Sequence, residues 1–221
     1  AGIQAVVAPK AGCCGAVRHH LSATDAARDD ARRNIDAWWP LIVKGAEAIV
    51  MTASGCGSQV REYGHLLAHD PVYAAKAARV TELTRDISEI VSAELNTENG
   101  KARKSALATR RSGERIAVHN PCSLQHGQQL RGLIEDIVRA TGAELTPVAD
   151  GHLCCGSAGT YSILQPELSS RLKENKLAAL NAGRPALIVS ANIGCIAHLG
   201  ADAGIPVRHW IELLDESLTP S

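Results

Sequence analysis

One unusual triplet occurs twice in this sequence. Cys13-Cys14-Gly15 sits within Ala11–Ala16, and Cys154-Cys155-Gly156 within Gly151–Gly159. Consecutive Cα atoms lie about 3.8 Å apart, below the roughly 4.4 Å that ordinary disulfides span. An adjacent pair is therefore a poor disulfide, and its two sulfurs are more naturally aimed at something else. The glycine that follows lets the backbone approach that object closely or turn through positive φ. A chain with two such triplets has to fold so that two loops each present a pair of thiols.

The repetition extends beyond the doublets. The two triplets are 141 residues apart, and Cys56 and Cys195 are 139 apart. Each of the latter follows an apolar run and a glycine, Ala48-Ile-Val-Met51 in one case and Ala186-Leu-Ile-Val189 in the other. This is an internal repeat. The same offset carried back from Cys122 falls upstream of Ala1, and the chain does not begin with Met. Both facts predict a preceding segment that carries the missing cysteine. Seven cysteines, an odd number, with no visible secretory signal point to a reducing compartment in which thiols serve metal or redox chemistry.

Apolar runs alternate with helical periodicity, as in βαβ units with parallel strands. Residues 3–8 read as a short buried strand. A helix is expected from Ser22 or Thr24 to about Trp39, stopping near Pro40. Residues 46–51 form the next strand, and residues 58–111 read as polar and helical, with segments 62–69 and 74–94. Lys101–Arg111, with five Lys or Arg among eleven residues, reads as a solvated linker or exposed helix. The pattern restarts with strands at 115–119, 144–148, 186–190 and 206–209. Helices are expected at 128–141, 165–181 and from Trp210 to Leu218. The expected organisation is a first half over 1–111, including the helical linker, and a second half over 112–221.

Composition narrows the function. Lys plus Arg and Asp plus Glu are both 23, so there is no basic surplus for phosphate binding. Phe is absent and aromatic residues make up 3%, too few for base-stacking platforms. Apolar residues, at 45%, suffice for a core built of Ala, Leu, Val and Ile. No apolar run reaches the length of about 18 residues that a spanning helix needs. Ser157 is not in a Gly-x-Ser-x-Gly elbow, and His19 and His20 have no evident acid partner, so no hydrolytic site is expected.

In the second half Cys122, Cys154, Cys155 and Cys195 each follow a predicted strand, in a Gly- or Pro-containing loop. Such loops gather at one edge of a parallel sheet, where ligands bind. Iron–sulfur clusters are commonly held by four Cys thiolates, and zinc accepts four as well. Structural zinc sites usually draw on close pairs, whereas here 31 residues separate Cys122 from Cys154 and 39 separate Cys155 from Cys195. The spacing favours a cluster over zinc. Buried structural thiols and a thiol–disulfide couple remain alternatives. The first half offers Cys13, Cys14 and Cys56, three ligands. Peptide N–H groups around Gly15, Gly57, Gly156 and Gly194 are expected to donate to sulfur.

Several motifs carry a resemblance. They are Ala11-Gly-Cys-Cys-Gly-Ala16, His119-Asn-Pro-Cys122-Ser-Leu-Gln125 and Leu153-Cys-Cys-Gly-Ser-Ala-Gly-Thr-Tyr161, with Asn192-Ile-Gly-Cys195 and the ending His209-Trp-Ile-Glu-Leu-Leu-Asp215. The chain resembles the CCG cysteine-rich domain of heterodisulfide reductases, anaerobic glycerol-3-phosphate dehydrogenases, lactate-utilisation proteins and, in particular, the iron–sulfur subunits of glycolate oxidases. The resemblance implies an α/β fold of two pseudo-repeated, Rossmann-like, parallel-sheet CCG units. It also implies [4Fe-4S] ligation by Cys122, Cys154, Cys155 and Cys195, and by Cys13, Cys14 and Cys56. The implied role is electron relay from FAD on a flavoprotein partner subunit to a quinone or other acceptor. The implied location is the cytoplasm, peripheral to the inner face of the plasma membrane. The rival roles are a heterodisulfide-type redox protein and a zinc-binding or metal-free docking domain. One departure stands out. The heterodisulfide reductases end the motif with Cys-x₂-Cys, whereas Gln59 and His198 occupy those places here. A five-thiolate site is thereby excluded within either half, and His198 becomes a substitute ligand or a supporting residue.

Overall fold

All strand pairing is parallel, and it falls into two separate sheets. The computed structural model describes residues 2–218, which pack as two units, the first ending at Ile87 and the second beginning at Ser88.

The first unit runs α1 (Ala16–His20), α2 (Thr24–Val43), β1 (Ile49–Met51), α3 (Ser54–Arg61), α4 (Tyr63–Leu66), α5 (Ala74–Leu83) and β2 (Thr84–Asp86). β1 pairs with β2 from Ile49↔Thr84 to Met51↔Asp86. Its core joins Ala31 and Ile35 of α2, Ile49, Val60 of α3, Tyr63, Leu67 and Ala77, Val80 and Leu83 of α5, with Cys14 among them.

Three expectations are corrected here. Residues 3–8 are not a strand: they have no ladder partner among the described residues, and Ile3, Val6 and Val7 are exposed. Apolar character alone does not make a strand when no neighbour takes its hydrogen bonds. α2 continues through Pro40 to Val43, because proline removes only the N–H that would reach the Asp36 carbonyl, and the final turn tolerates that loss. The helical run expected over 74–94 is broken by β2, whose Thr-Arg-Asp sequence alternates buried, exposed and buried. Three polar residues give too little pattern to compete with the helical periodicity on either side.

The second unit begins with α6 (Ile87–Leu95), whose first residue closes the preceding unit, and α7 (Glu98–Leu107). α7 is the basic segment and is largely exposed, anchored by Leu107. β3 (Arg115–Val118), a π-helical turn (Ser123–Gly127), α8 (Leu133–Ala140) and β4 (Glu144–Leu145) follow. The helix expected over 128–141 thus starts at Leu133, and the strand expected over 144–148 shortens to two residues. Next come α9 (Tyr161–Leu164), α10 (Pro166–Asn181), β5 (Leu187–Ser190), α11 (Ile193–Gly200), β6 (Val207–His209) and α12 (Trp210–Leu218). The helical segment between Ser88 and the start of β3 packs with the second unit, although the repeat itself restarts only at β3.

The order β4-β3-β5-β6 positions the site. The chain leaves β3 to one side for β4, then crosses back over α10 to β5 on the other side. The direction of winding therefore reverses between β3 and β5. At such a switch point the loops leaving the two strands diverge and open a crevice at their carboxyl ends. β3 and β5 are buried almost throughout, as central parallel strands are. Ala117 and Ile188 pack with Leu177 and Leu180 of α10 and Leu199 of α11, and Cys155 and Cys195 belong to this same core.

Candidate metal centre

The loops after β3, β4 and β5 deliver the four cysteines of the second unit. Cys122 precedes the π-helical turn, Cys154 and Cys155 lie within the long loop between β4 and α9, and Cys195 is the third residue of α11. The side chains form a contiguous series. Cys122 is within hydrogen-bonding reach of Cys154, Cys154 of Cys155, and Cys155 of Cys195. No two members of the series other than the doublet are near in sequence. The sheet order brings them together.

Protons are unequally shared along the series. Hydrogen bonds from Cys122 and Cys155 hold the Cys154 thiol far below its ordinary range, against the opposing effect of burial, and the Gly156 N–H also donates to its Sγ at 3.3 Å. Donation from Cys155 likewise lowers Cys195, aided by Asn192 Nδ2 at 3.5 Å from Sγ. Cys122 and Cys155, the donors, are pushed up by those hydrogen bonds and by burial. Cys154 and Cys195 are thus biased toward the thiolate, and Cys122 and Cys155 toward the thiol. Binding a metal or cluster would displace the remaining thiol protons, because the thiolate is the ligand.

The first unit repeats this in reduced form. Cys14 and Cys56 are in hydrogen-bonding reach, and donation from Cys14 lowers Cys56 to about 7 while Cys14 itself is pushed up. Cys13 is exposed; its charge acts on Cys56, but it joins no hydrogen-bonded series. The equivalence reaches single groups. The Ala16 N–H supports Cys14, and the Ser157 N–H, 141 residues on, supports Cys155. Cys56, like Cys195, is the third residue of its helix. Of the glycines expected to donate to sulfur, Gly156 does so. Gly57 instead donates to the Ala53 carbonyl at 2.9 Å, as the first turn of α3 requires.

Gly15 and Gly156 have φ values of 83° and 90°. A Cβ would lie 3.1 Å from the Ala27 carbonyl oxygen at the first position and 2.5 Å from the Ser169 carbonyl oxygen at the second. Both glycines therefore serve a left-handed turn and the close approach of a helix, which fixes the doublet loop against α2 or α10.

Different side chains lock the two loops. In the first unit Asn34 accepts from the Gly12 N–H at 2.8 Å and donates to the Cys13 carbonyl at 2.9 Å, and the Tyr63 hydroxyl donates to the Cys14 carbonyl at 2.9 Å. In the second unit Lys176, on α10 and buried, donates to the Asp150 and Gly151 carbonyls at 3.0 and 3.3 Å. Burial lowers Lys176, opposed by the charges of Cys155 and Cys154, so its amine lies within electrostatic reach of the thiol series. Ser169 donates to the Gly156 carbonyl at 2.9 Å and is 3.3 Å from His198 Nε2. With its own proton committed to Gly156, Ser169 accepts from His198. His198 Nε2 therefore braces the doublet loop, which is a supporting role. Ser169→Ala is expected to destabilise the protein by about 1–3 kcal/mol, the cost of leaving buried polar groups unpaired. Denaturant unfolding checks it, and an unchanged midpoint would refute the brace.

His119 has no place in the ligand set expected from the sequence. It ends the β3 ladder, donating its N–H to the Val189 carbonyl at 2.8 Å, and is 2% exposed. A ring nitrogen and the sulfurs of Cys155 and Cys195 all lie within 4.8 Å of one another. Nδ1 is 2.9 Å from Ser190 Oγ, and Nε2 is buried without a partner. Burial, with Lys176 nearby, lowers its pKa to about 3, so the ring is neutral. The only sequence signal was its position three residues before Cys122. Lys176 and Ser169 gave none, since a Lys and a Ser in an amphipathic helix read as solvated.

A parallel α/β scaffold, repeated once and carrying thiols at its switch-point crevice, defines a cysteine-rich ligand-binding protein. The donor set suits a thiophilic metal or an iron–sulfur cluster: four sulfurs, peptide and amide donors to them, and a buried imidazole nitrogen with no other partner. The cysteine-rich domain family, CCG, matches residues 1–61 and 116–200, and the chain belongs to it. It is 48% identical over 98% of its length to the Glycolate oxidase iron-sulfur subunit of Escherichia coli (strain K12), covering 51% of that protein. It is 31% identical over 98% to the Probable glycolate oxidase iron-sulfur subunit of Bacillus subtilis (strain 168), covering 48%. Lactate utilization protein A of Bacillus velezensis is 27% identical over 92% of this chain, which covers 82% of it. The chain thus spans about half the length of the two glycolate oxidase subunits.

Proposed function

We propose that this chain is the cluster-holding part of an electron-transfer subunit in a flavin-dependent glycolate, or related 2-hydroxy-acid, oxidase. The observation that carries the proposal is the convergence of the Cys122, Cys154, Cys155 and Cys195 side chains into one contiguous series. The similarity to the two glycolate oxidase subunits supports it. A [4Fe-4S] cluster, when bound, takes up and gives back one electron at a time near a potential set by its surroundings. Cys122, Cys154, Cys155 and Cys195 would hold it, and Cys13, Cys14 and Cys56 would supply part of a second site. The two halves of the relay would be residues 1–111 and 112–221.

The chain's own residues do three things. Cys122 and Cys155 give up their protons on ligation. The N–H groups of Gly156 and Ser157, with Asn192, stabilise negative charge on sulfur. Burial of Cys155 and Cys195 keeps water from those sulfurs, while Leu153, next to Cys154, and Ile193, two residues before Cys195, stay 44% and 67% exposed. That leaves an apolar surface beside a site that must exchange electrons with another protein. The proposed donor is FAD on a flavoprotein subunit, and the proposed acceptor a quinone or other carrier. The proposed location is cytoplasmic, peripheral to the inner face of the plasma membrane. No described helix is long and apolar enough to cross a membrane.

Anaerobic purification with iron and acid-labile sulfide assays tests the reading. It is expected to give a brown protein whose broad visible band bleaches on reduction. A preparation that binds only zinc would overturn it. The close grouping of His119, Cys155 and Cys195 is the observation that favours that second reading, since donors to a single ion crowd together.

A further inference from the structure

His119 is the one buried imidazole that faces the thiol series, and the proposed function leaves it unused. Its surroundings determine what it does. Ser190 is fully buried at the end of β5, with its hydroxyl 2.9 Å from His119 Nδ1. A buried hydroxyl proton needs an acceptor. The imidazole Nδ1 is the acceptor at hand, so Ser190 donates and Nδ1 is the bare nitrogen. The ring proton of the neutral imidazole is then on Nε2. Nε2 is buried and makes no hydrogen bond in the structure, to sulfur or to any other atom. The sulfurs of Cys155 and Cys195 are the polar atoms beside the ring.

We infer that His119, oriented by Ser190, carries its ring proton on Nε2 beside the sulfurs of Cys155 and Cys195, and donates it to the redox centre they hold, which favours the reduced state of that centre. The donation and its redox effect rest on the iron–sulfur reading above; the Nε2–H tautomer does not. Ser190 and His119 end the two strands that flank the switch point, paired through the His119 N–H to Val189 bond. The donor is therefore attached to the most rigid part of the unit. A donor to sulfur stabilises the added negative charge of the reduced state more than the oxidised one. His119 is thus a positioning and tuning residue. It differs from a ligand in the tautomer: a ligand would need a bare Nε2 and a proton on Nδ1, leaving the Ser190 proton without an acceptor.

Two measurements on the full-length protein test this. The first uses ¹⁵N-histidine labelling and long-range ¹H–¹⁵N correlation in the metal-free, anaerobically reduced protein. His119 is expected as the Nε2–H tautomer, and Ser190→Ala is expected to release it into a mixture. An Nδ1–H tautomer in the unmutated protein overturns the inference, whatever any variant does and whether or not iron binds. The second is a reductive titration of the cluster-loaded protein. His119→Leu is expected to lower the equilibrium constant for reduction about tenfold, or about 59 mV for one electron. His119→Gln, which keeps an N–H, should recover part of the shift at equal iron content. An unchanged equilibrium in His119→Leu, or loss of a strong ¹⁴N coupling to the cluster on that substitution, overturns it. An unmutated protein that holds no iron or sulfide sinks the iron–sulfur reading and with it the redox part, and the first measurement still decides the tautomer.

Discussion

Cys155→Ala is expected to empty the second unit's site while leaving its fold in place. Cys155 is the hinge of the series, in reach of both Cys154 and Cys195, and it also belongs to the core with Leu177, Leu180 and Leu199. Removing one outer-sphere partner of a metal ligand typically costs about 10–100-fold in affinity, and removing a ligand outright should cost at least that. Free cysteine packs as a small hydrophobe, so alanine loses little of the core, at the cost of one partner for the Ser157 N–H and for the Cys154 and Cys195 sulfurs. The expected outcome is iron and sulfide reduced to whatever the first unit retains, with a near-native circular dichroism spectrum. Full iron content in this variant would mean that the thiols converge for packing alone. The contrast lies in the first unit, where Cys13 is exposed and outside the Cys14–Cys56 pair. Cys13→Ala should change metal content far less.

Gly156→Ala should be the most damaging single-methyl change in the molecule's doublet loops. Its φ of 90° costs an L-residue about 1–2 kcal/mol. The added carbon would sit 2.5 Å from the Ser169 carbonyl oxygen. That is backbone of α10 and cannot rotate aside, so overpacking adds about 1–3 kcal/mol. A total of about 3 kcal/mol corresponds to a fall of about 10 °C in Tm for a chain of this size. The equivalent Gly15→Ala has the same φ penalty but a looser contact, 3.1 Å from the Ala27 carbonyl oxygen, and should lose about half as much. Thermal melts of the two variants side by side check the ordering. Equal losses would show that the turn, and not the approach of α10, is what each glycine serves.

Metal binding should couple to this loop. Ser169, Lys176 and His198 hold it from α10 and α11, so a loop displaced by Gly156→Ala would also misplace Cys154 and Cys155. Thermal stability and metal content should fall together in this variant. In Cys155→Ala only metal content should fall.

The sequence by itself determined the repeat, the parallel α/β class and the seven thiols, because doublet spacing and apolar runs are local patterns that survive any arrangement of the chain. It also showed that Gln59 and His198 stand where a further thiol would be needed. It could not show that residues 3–8 lack a ladder partner among the described residues, that Thr84–Asp86 is a strand, or that α2 passes through Pro40. Each of those depends on which neighbour is available to take a hydrogen bond. Only the tertiary structure decided how the site is built. The order β4-β3-β5-β6 places the ends of β3 and β5 side by side, and that juxtaposition turns His119 and Ser190, 71 residues apart, into a hydrogen-bonded pair beside the thiols. Burial does the rest. A histidine before a Pro-Cys motif and a lysine in an amphipathic helix are ordinary in sequence. They acquire a role once the fold removes water from around them and leaves sulfur as their neighbour.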